Sequence, residues 1–226
     1  MCPLFSHHPH RKKNMPMLRT SYLGSAYYRM LQTYLLDPIE KWGFTPNQMT
    51  FLGAATAVLV PLAFLVHPLF GFLLLALSAI SDSMDGLMAR HRHQVSRFGA
   101  FLDSSIDRIS DFFYLIGFWL LLWPHPQRLS ATFLMLTALL LTLMISYVKA
   151  RAEGLGIVCP TGLMDRAGRI VFLLAWALLI SVMPTSTTAL LWFGFAVYIG
   201  LAIATLAHRI VIVRRQLIAP EARSLR

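Results

Sequence analysis

Residues 81–111 read SDSMDGLMARHRHQVSRFGAFLDSSIDRISD, and this stretch decides how the chain is organised. Four of its five aspartates, Asp82, Asp85, Asp103 and Asp107, form a spaced cluster in a chain that is otherwise strongly apolar. A charge at membrane depth costs about 2.5–3.5 kcal/mol on insertion scales, so a cluster of such charges predicts a functional site. We therefore interpret the rest of the chain outward from these carboxylates.

The composition is typical of a membrane protein. Of the 226 residues, 57% are hydrophobic and 13% are charged, whereas soluble domains have about 25% charged residues. The chain has no Pro/Ser-rich linker between its apolar segments, which predicts one membrane domain and no separate soluble domain. Two cysteines, Cys2 and Cys159, are too few for a disulfide framework, and we expect both to be free thiols.

The basic residues indicate the orientation in the membrane. A net charge of +10 would suggest nucleic acid as a partner of a soluble protein, but here the Lys and Arg residues cluster at one predicted membrane face, with Arg128 as the exception. This positive-inside asymmetry predicts a multi-pass protein of the cytoplasmic (inner) membrane, with the Asp cluster and both termini facing the cytoplasm. We expect membrane lipids and no nucleic acid as partners.

The apolar segments and their breaks predict an all-α protein with six transmembrane helices. Residues 51–81 form an apolar run longer than the ~30 Å hydrocarbon core requires, and His67-Pro68 is the natural break. The predicted spans are 48–66, 69–91, 97–123, 129–147, 165–183 and 189–213. They form a catalytic domain (44–215) that follows a basic, His-rich tail (1–21) and an amphipathic interfacial helix (22–43), and that precedes a basic C-terminal tail (216–226).

A local signal marks the beginning of the first span. Thr45 suits the N-cap position, Pro46 the first helical position and Gln48 the reciprocal position of a capping box. This assignment explains half of the TPNQMT segment and leaves Asn47 and Thr50 without a structural role.

The aspartates belong to a spaced motif, D-x2-D-G-x2-A-R-x8-G-x3-D-x3-D, from Asp82 to Asp107. Eight fixed positions at frequencies of about 7% each would coincide by chance in roughly one window in a billion. The helical spacing puts residues 82, 85 and 89 on one face and residues 99, 103 and 107 on another, so the carboxylates of two helices can converge. Carboxylates alone would repel one another, and Mg²⁺, which binds carboxylates together with substrate phosphates, removes that conflict.

Three other motif positions fit either a structural role or a role in ligand binding. Gly86 and Gly99 fit close packing between membrane helices, but beside carboxylates they also fit the approach of a ligand to the backbone. Arg90 suits a snorkelling residue of the cytoplasmic face or a clamp for a phosphate.

The filled motif resembles the signature of the CDP-alcohol phosphotransferase family. The resemblance implies a membrane enzyme with six transmembrane helices, commonly a homodimer, that transfers a substituted phosphate from a CDP-linked lipid to an alcohol and releases CMP. It implies metal ligation by Asp82, Asp85, Asp103 and Asp107, with Mg²⁺ or alternatively Mn²⁺ as the ion and Asp107 also acting as general base. It further implies contacts to the CDP-linked lipid from Asn47, Thr50, Gly86, Ala89, Arg90 and Gly99.

A second segment bears on the acceptor alcohol. The SYVKARAEGLG segment (146–156), together with RFGAFLDSSIDRISD, resembles the branch of the family that uses inositol phosphate. Within that resemblance, the acceptor phosphate would be bound by Ser146, Lys149, Arg151, Arg166 and Arg169. The same cations also fit positive-inside topology, and related sequences with other acceptors carry similar segments, so glycerol 3-phosphate is the main alternative to inositol 1-phosphate.

A divalent-cation channel or transporter is the alternative from another class, because Asp clusters inside membranes also line ion pathways. The aspartates here lie at one end of their spans, beside glycines and cations suited to phosphates, which disfavours a pathway across the bilayer. Cation flux into liposomes without CMP release would favour the channel.

Overall fold

A computed structural model describes residues 22–159 and 162–224, and the side chains of residues 25–159 and 162–218 within them. The described residues contain helices and turns but no strand. The α-helices are α1 (Tyr22–Leu31), α2 (Asp37–Lys41), α3 (Pro46–Val66), α4 (Pro68–His91), α5 (Arg97–Leu120), α6 (Arg128–Gly154), α7 (Arg166–Val182) and α8 (Thr187–Ser224). The predicted N-terminal tail with Cys2 lies outside the described residues.

Two predicted local features are confirmed. Thr45 caps α3 in a capping box: Gln48 N donates to Thr45 Oγ1 (3.3 Å), and Thr45 N donates to Gln48 Oε1 (2.8 Å). The break between the first two long helices falls at His67, whose extended backbone (φ −163°, ψ 138°) separates α3 from Pro68 at the start of α4. Pro68 is the first residue of its helix, where its missing N–H leaves no helical hydrogen bond unmade.

The segment before α3 is helical from Tyr22 to Lys41, but its hydrogen-bond pattern changes within it. A π-helical turn (Gln32–Leu36) separates α1 from α2. The physical reason is Pro38, which lies in the first turn of α2 and lacks the N–H for the hydrogen bond of a regular α-helix. Leu31 and Leu36 pack with Met49, Met84 and Met88 in a small core, while Tyr34 and Trp42 are exposed.

Polar contacts tie this segment to α4. Tyr27 Oη donates to Ser83 Oγ (3.2 Å), and Glu40 forms an ion pair with Arg92 (3.1 Å) and contacts His91 Nδ1 (3.2 Å) at the end of α4. The segment therefore has a fixed position beside the end of α4 that carries the aspartates.

The long helices pack in two groups, α3 to α5 and α6 to α8. Contacts of α4 with α7 and of α5 with α6 join the two groups. Helix α3 packs against α4 and α5, and α6 packs against α8. Aromatic side chains fill the shared core: the Phe118 and Trp176 rings stack with centroids 4.1 Å apart, and Phe64 packs against Phe118 at 4.9 Å. Gly117 allows this packing, because a Cβ atom there would overlap the Phe64 ring.

Four of the described helices are long and apolar enough to cross a membrane: α3, α4, α6 and the part of α8 before residue 219. The protein is thus an all-α, multi-pass membrane protein. Helix α5 contains several charged residues, and α7 has only 17 residues, which explains why neither meets the same criteria. Helix α8 also extends beyond the predicted end at 213, because residues 214–219 contain no Gly or Pro, and it continues past Pro220 to Ser224.

Candidate active site

The ends of α4 and α5 bring three of the four aspartates together. One carboxylate oxygen each of Asp82, Asp85 and Asp103 lies within 4.8 Å of the other two. Asp107, one turn after Asp103, is buried and forms an ion pair with Arg166 of α7 (2.6 Å). Arg166 Nη2 approaches its Oδ1 atom, which makes no further hydrogen bond with the described residues. The arrangement follows from the i, i+3 and i, i+4 spacings, which place each set on one helical face.

This arrangement fits a divalent cation. Oxygens bound to one Mg²⁺ lie about 3.0 Å apart when adjacent and about 4.2 Å apart when opposite, so the three carboxylates could hold one ion after side-chain movements of about an ångström. Carboxylate oxygens are also the ligands that Mg²⁺ and Mn²⁺ prefer. Asp82, Asp85 and Asp103 therefore form a suitable ligand set, and together they would carry more negative charge than an apolar environment tolerates without a cation.

Thr50 connects α3 to this cluster. Its hydroxyl lies 2.6 Å from Asp85 Oδ2, to which it donates a hydrogen bond across two helices. Asp85 is only 6% exposed, so this bond fixes the orientation of a carboxylate that has little access to water. The position that the capping box left without a structural role thus has a specific partner.

We expect Thr50→Val to weaken Mn²⁺ binding by about tenfold, because groups that orient a metal ligand typically contribute 10–100-fold to affinity. Valine keeps the shape of threonine and removes only the hydroxyl. Thr56→Val is the matched control: its hydroxyl is on the same helix but donates to Leu52 O (2.8 Å). Equal affinities of the two variants for Mn²⁺, measured by electron paramagnetic resonance, would show that Thr50 does not orient the site.

A pocket of about 300 Å³ opens beside the carboxylates. Asp85 and Asp103 form part of its wall, and the beginning of α3 faces them. The six residues predicted to contact the CDP-linked lipid also line it: Asn47, Thr50, Gly86, Ala89, Arg90 and Gly99. The pocket therefore combines carboxylates, a cation and small residues in one place, a combination suited to a metal-bound phosphate ligand.

Helix α7 contributes two arginines from the predicted acceptor set. Arg166 reaches the carboxylates, and Arg169 does not. Arg169 is 2% exposed; its Nη2 donates to Asp111 Oδ2 (2.7 Å), and its Nη1 donates to Met164 O (3.1 Å). Arg169 thus anchors the start of α7 to α5 within a buried ion pair.

Asp111→Ala is expected to destabilise the protein by about 3–5 kcal/mol, because it leaves the buried Arg169 without its counter-ion. Asp111→Ala combined with Arg169→Leu is expected to recover most of that loss. Thermal unfolding in detergent measures both, with Asp37→Ala, at an exposed position of α2, as the control. If Asp111→Ala unfolds like the wild-type protein, the ion pair contributes nothing to stability.

The other predicted acceptor residues lie at the end of α6. Lys149 and Arg151 are exposed, and Ser146 is half-buried. Among the described residues, their side chains make no hydrogen bond or ion pair with the four aspartates. The structure therefore brings Arg166 to the carboxylates but does not bring these three residues into contact with them.

Sequence reasoning missed two buried charges near the site. Asp111 was not recognised as the partner of Arg169, and Arg209 was read only as a basic residue of the cytoplasmic face. Arg209 is 2% exposed, and its Nη1 donates to Ile145 O (2.7 Å), next to Ser146. The signal for Arg209 was its position in the apolar run 199–213, since a charge in such a run predicts a functional or paired residue.

The fold and this pocket are those of a membrane-embedded enzyme that acts on a phosphate-containing substrate. A sequence profile of the CDP-alcohol phosphatidyltransferase family matches residues 44–208. The chain belongs to this family and is a transferase of phospholipid synthesis. This assignment confirms the resemblance drawn from the motif and does not favour a cation channel.

Individual relatives agree. The chain is 36% identical over 166 residues to the archaetidylinositol phosphate synthase of Methanothermobacter thermautotrophicus, covering 73% of this chain and 81% of the relative. It is 37% identical over 161 residues to the phosphatidylinositol phosphate synthase of Mycobacteroides abscessus, covering 69% and 72%. The curated relatives thus include synthases named for both archaetidyl and phosphatidyl products.

Solved structures of the phosphatidylinositol phosphate synthase of Mycobacterium tuberculosis also share the fold at 28% identity. The structure with CDP-DAG bound has a TM-score of 0.67 and matches over 79% of this chain and 91% of the other. The complex with manganese and citrate has a TM-score of 0.71, over 80% and 88%. A solved relative with manganese and the Asp cluster of this chain support the predicted Mg²⁺ or Mn²⁺ cofactor.

Proposed function

We propose that this protein transfers a phosphatidyl group from a CDP-diacylglycerol-type lipid to the hydroxyl of inositol 1-phosphate and releases CMP. The observation that carries the proposal is the pocket in which the α3 start meets the carboxylates of α4 and α5. The relatives are named as synthases of archaetidylinositol phosphate and phosphatidylinositol phosphate, and these names support the choice of acceptor.

The donor would lie in the pocket, with its diphosphate against the carboxylates. Asp82, Asp85, Asp103 and Asp107 would hold divalent cations, which when bound neutralise the negative charge of the diphosphate. Gly86 and Gly99 would let the nucleotide approach the backbone. The remaining pocket residues of the CDP-binding set are Asn47, Thr50, Ala89 and Arg90.

Asp107 would act as the general base. Its Oδ1 lies 2.6 Å from Arg166 Nη2, and it would accept the proton of an acceptor hydroxyl once that ion pair is released. The hydroxyl oxygen then forms a bond to the lipid-bearing phosphorus while the bond from that phosphorus to the CMP oxygen breaks. No covalent intermediate with the protein is required.

The acceptor phosphate would be bound by cations beside the carboxylates. Arg166 reaches the cluster from α7, and Ser146, Lys149 and Arg151 lie at the end of α6. Arg169, which pairs with Asp111, would contribute mainly by anchoring the first turn of α7. A phosphorylated polyol matches this excess of positive charge better than a neutral one does.

The proposed topology has six membrane spans. All six long helices, α3 to α8, would span the cytoplasmic membrane, with the site and both termini in the cytoplasm. The α1–α2 segment would lie in the interface with exposed Tyr34 and Trp42 toward the lipid, and two copies would form a homodimer. The same domain limits apply, with a catalytic domain of 44–215 between the two tails.

Release of CMP by the purified protein tests the proposed function. Each sample contains the protein, CDP-diacylglycerol, Mg²⁺ and one acceptor. The four acceptors are inositol 1-phosphate, glycerol 3-phosphate, inositol and serine. Of the four acceptors, we expect only inositol 1-phosphate to support CMP release. Release with glycerol 3-phosphate alone would show that the acceptor is wrong while the family assignment stands.

A further inference from the structure

Arg166 lies among the carboxylates that would hold the cations. Its Nη1 donates to Asp82 Oδ2 (2.5 Å), and its Nη2 donates to Asp82 Oδ1. Nη2 also forms the 2.6 Å ion pair with Asp107 Oδ1. The guanidinium thus uses both oxygens of Asp82 and joins α4 to α5 from α7.

A divalent cation cannot share Asp82 with this guanidinium at low cost. Mg²⁺ lies about 2.1 Å from a ligand oxygen, so a cation on Asp82 Oδ2 would lie at most about 4.6 Å from Arg166 Nη1. Two positive groups at that separation repel each other, and the partly buried site screens them weakly. The guanidinium and the cation therefore compete for the same carboxylate.

We propose that Arg166 is an internal counter-ion: it holds Asp82 and Asp107 in the metal-free protein and leaves Asp82 when a divalent cation binds. A planar guanidinium suits this role because it forms two parallel hydrogen bonds to one carboxylate and never loses its charge. Without it, Asp82 and Asp107 would lose the guanidinium that pairs with both of them.

The first turn of α7 is held so that the Arg166 side chain can move by itself. Asp165 caps the helix by accepting from Gly168 N (3.0 Å), and Arg169 is fixed by Asp111 and Met164. The Arg166 side chain is 30% exposed, so it has space toward solvent, whereas Arg169 is almost fully buried. Exchange with a cation therefore requires a change of side-chain rotamer and no displacement of the helix.

Binding of Mn²⁺ to the full-length protein in detergent tests the proposal, with free Mn²⁺ measured by electron paramagnetic resonance. We expect Arg166→Gln to bind Mn²⁺ at least about tenfold more tightly than wild type, because no guanidinium has to be displaced. Arg166→Lys keeps the charge but loses the two-pronged contact, and we expect a smaller gain of about threefold. In the presence of EDTA, Arg166→Gln should unfold at a lower temperature than wild type, and Mn²⁺ should remove most of that difference.

Arg108→Gln is the matched control for loss of a positive charge. Arg108 lies next to Asp107 on α5, but its Nη1 donates to Ser104 O and not to a carboxylate. We expect its Mn²⁺ affinity to stay within about twofold of wild type. An equal gain in both glutamine variants would overturn the proposal in favour of a general field effect, as would an unchanged or weaker affinity of Arg166→Gln.

The role given to the cation site rests on the proposed function, but the two can fail separately. The Mn²⁺ and unfolding measurements use neither CDP-linked lipid nor acceptor, whereas CMP release by the wild-type protein tests the reaction. If Arg166→Gln does not fold, the affinity of Arg166→Lys decides: a gain supports the counter-ion, and no gain overturns it.

Discussion

Asp107→Asn is expected to lower turnover by about 10²–10⁴-fold, the contribution typical of a positioned general base, while the protein still binds the CDP-linked lipid. Asparagine has nearly the shape of aspartate but cannot accept the proton of the acceptor hydroxyl. The pocket that would bind the donor is lined by residues of α3, α4 and α5 other than Asp107, so donor binding should persist.

CMP release measures turnover, and equilibrium binding of radiolabelled CDP-diacylglycerol measures the affinity for the donor. Asp37→Asn removes an exposed carboxylate of α2 and serves as the control, with turnover expected near that of wild type. Unchanged turnover of Asp107→Asn would remove this residue as the base. Loss of donor binding together with turnover would instead assign Asp107 to the donor site.

Asp85→Asn is expected to reduce turnover at least about hundredfold and to weaken Mn²⁺ binding in parallel, because a neutral amide is a poor substitute for a carboxylate ligand. The variant keeps an oxygen that can accept the hydrogen bond of Thr50, so the local structure should persist. Asp85 is the most buried of the three clustered aspartates, so a water molecule is least able to take its place as a metal ligand.

Paired measurements of CMP release and Mn²⁺ affinity separate two explanations for this variant. A parallel loss that high Mn²⁺ concentrations partly restore supports ligation by Asp85. Wild-type Mn²⁺ affinity with low turnover would exclude Asp85 from the ligand set and give it a role toward the substrate.

Local sequence signals predicted those parts of the fold that depend on neighbouring residues. The capping box at Thr45 and the break at His67 involve residues within three positions of each other, and both are present as predicted. The convergence of Asp82, Asp85 and Asp103 was predictable for a related reason, because helical spacing fixes which side chains share a face. The π-helical turn before α2 was not predicted, because the amphipathic pattern on both sides is compatible with one uninterrupted α-helix.

Contacts between distant residues could not be read from spacing. Arg166 and Asp82 are 84 positions apart, and Arg169 and Asp111 are 58 positions apart. Which of the two arginines reaches the carboxylate cluster depends on how α7 packs against α4 and α5. Residues three positions apart on α7 face different partners. The sequence grouped both arginines with the acceptor site, whereas the structure gives them different partners.

The charges of α5 bear on how the chain enters the bilayer during synthesis. Helix α5 contains Asp103, Asp107, Arg108 and Asp111, and each charge opposes partitioning of an isolated segment into lipid by about 2.5–3.5 kcal/mol. Helices α3 and α4 precede it in the chain and are apolar enough to insert alone. In the proposed six-span topology, α5 is therefore expected to leave the translocon only after α3 and α4, because α4 offers it a polar contact between Ser78 Oγ and Tyr114 Oη (2.7 Å).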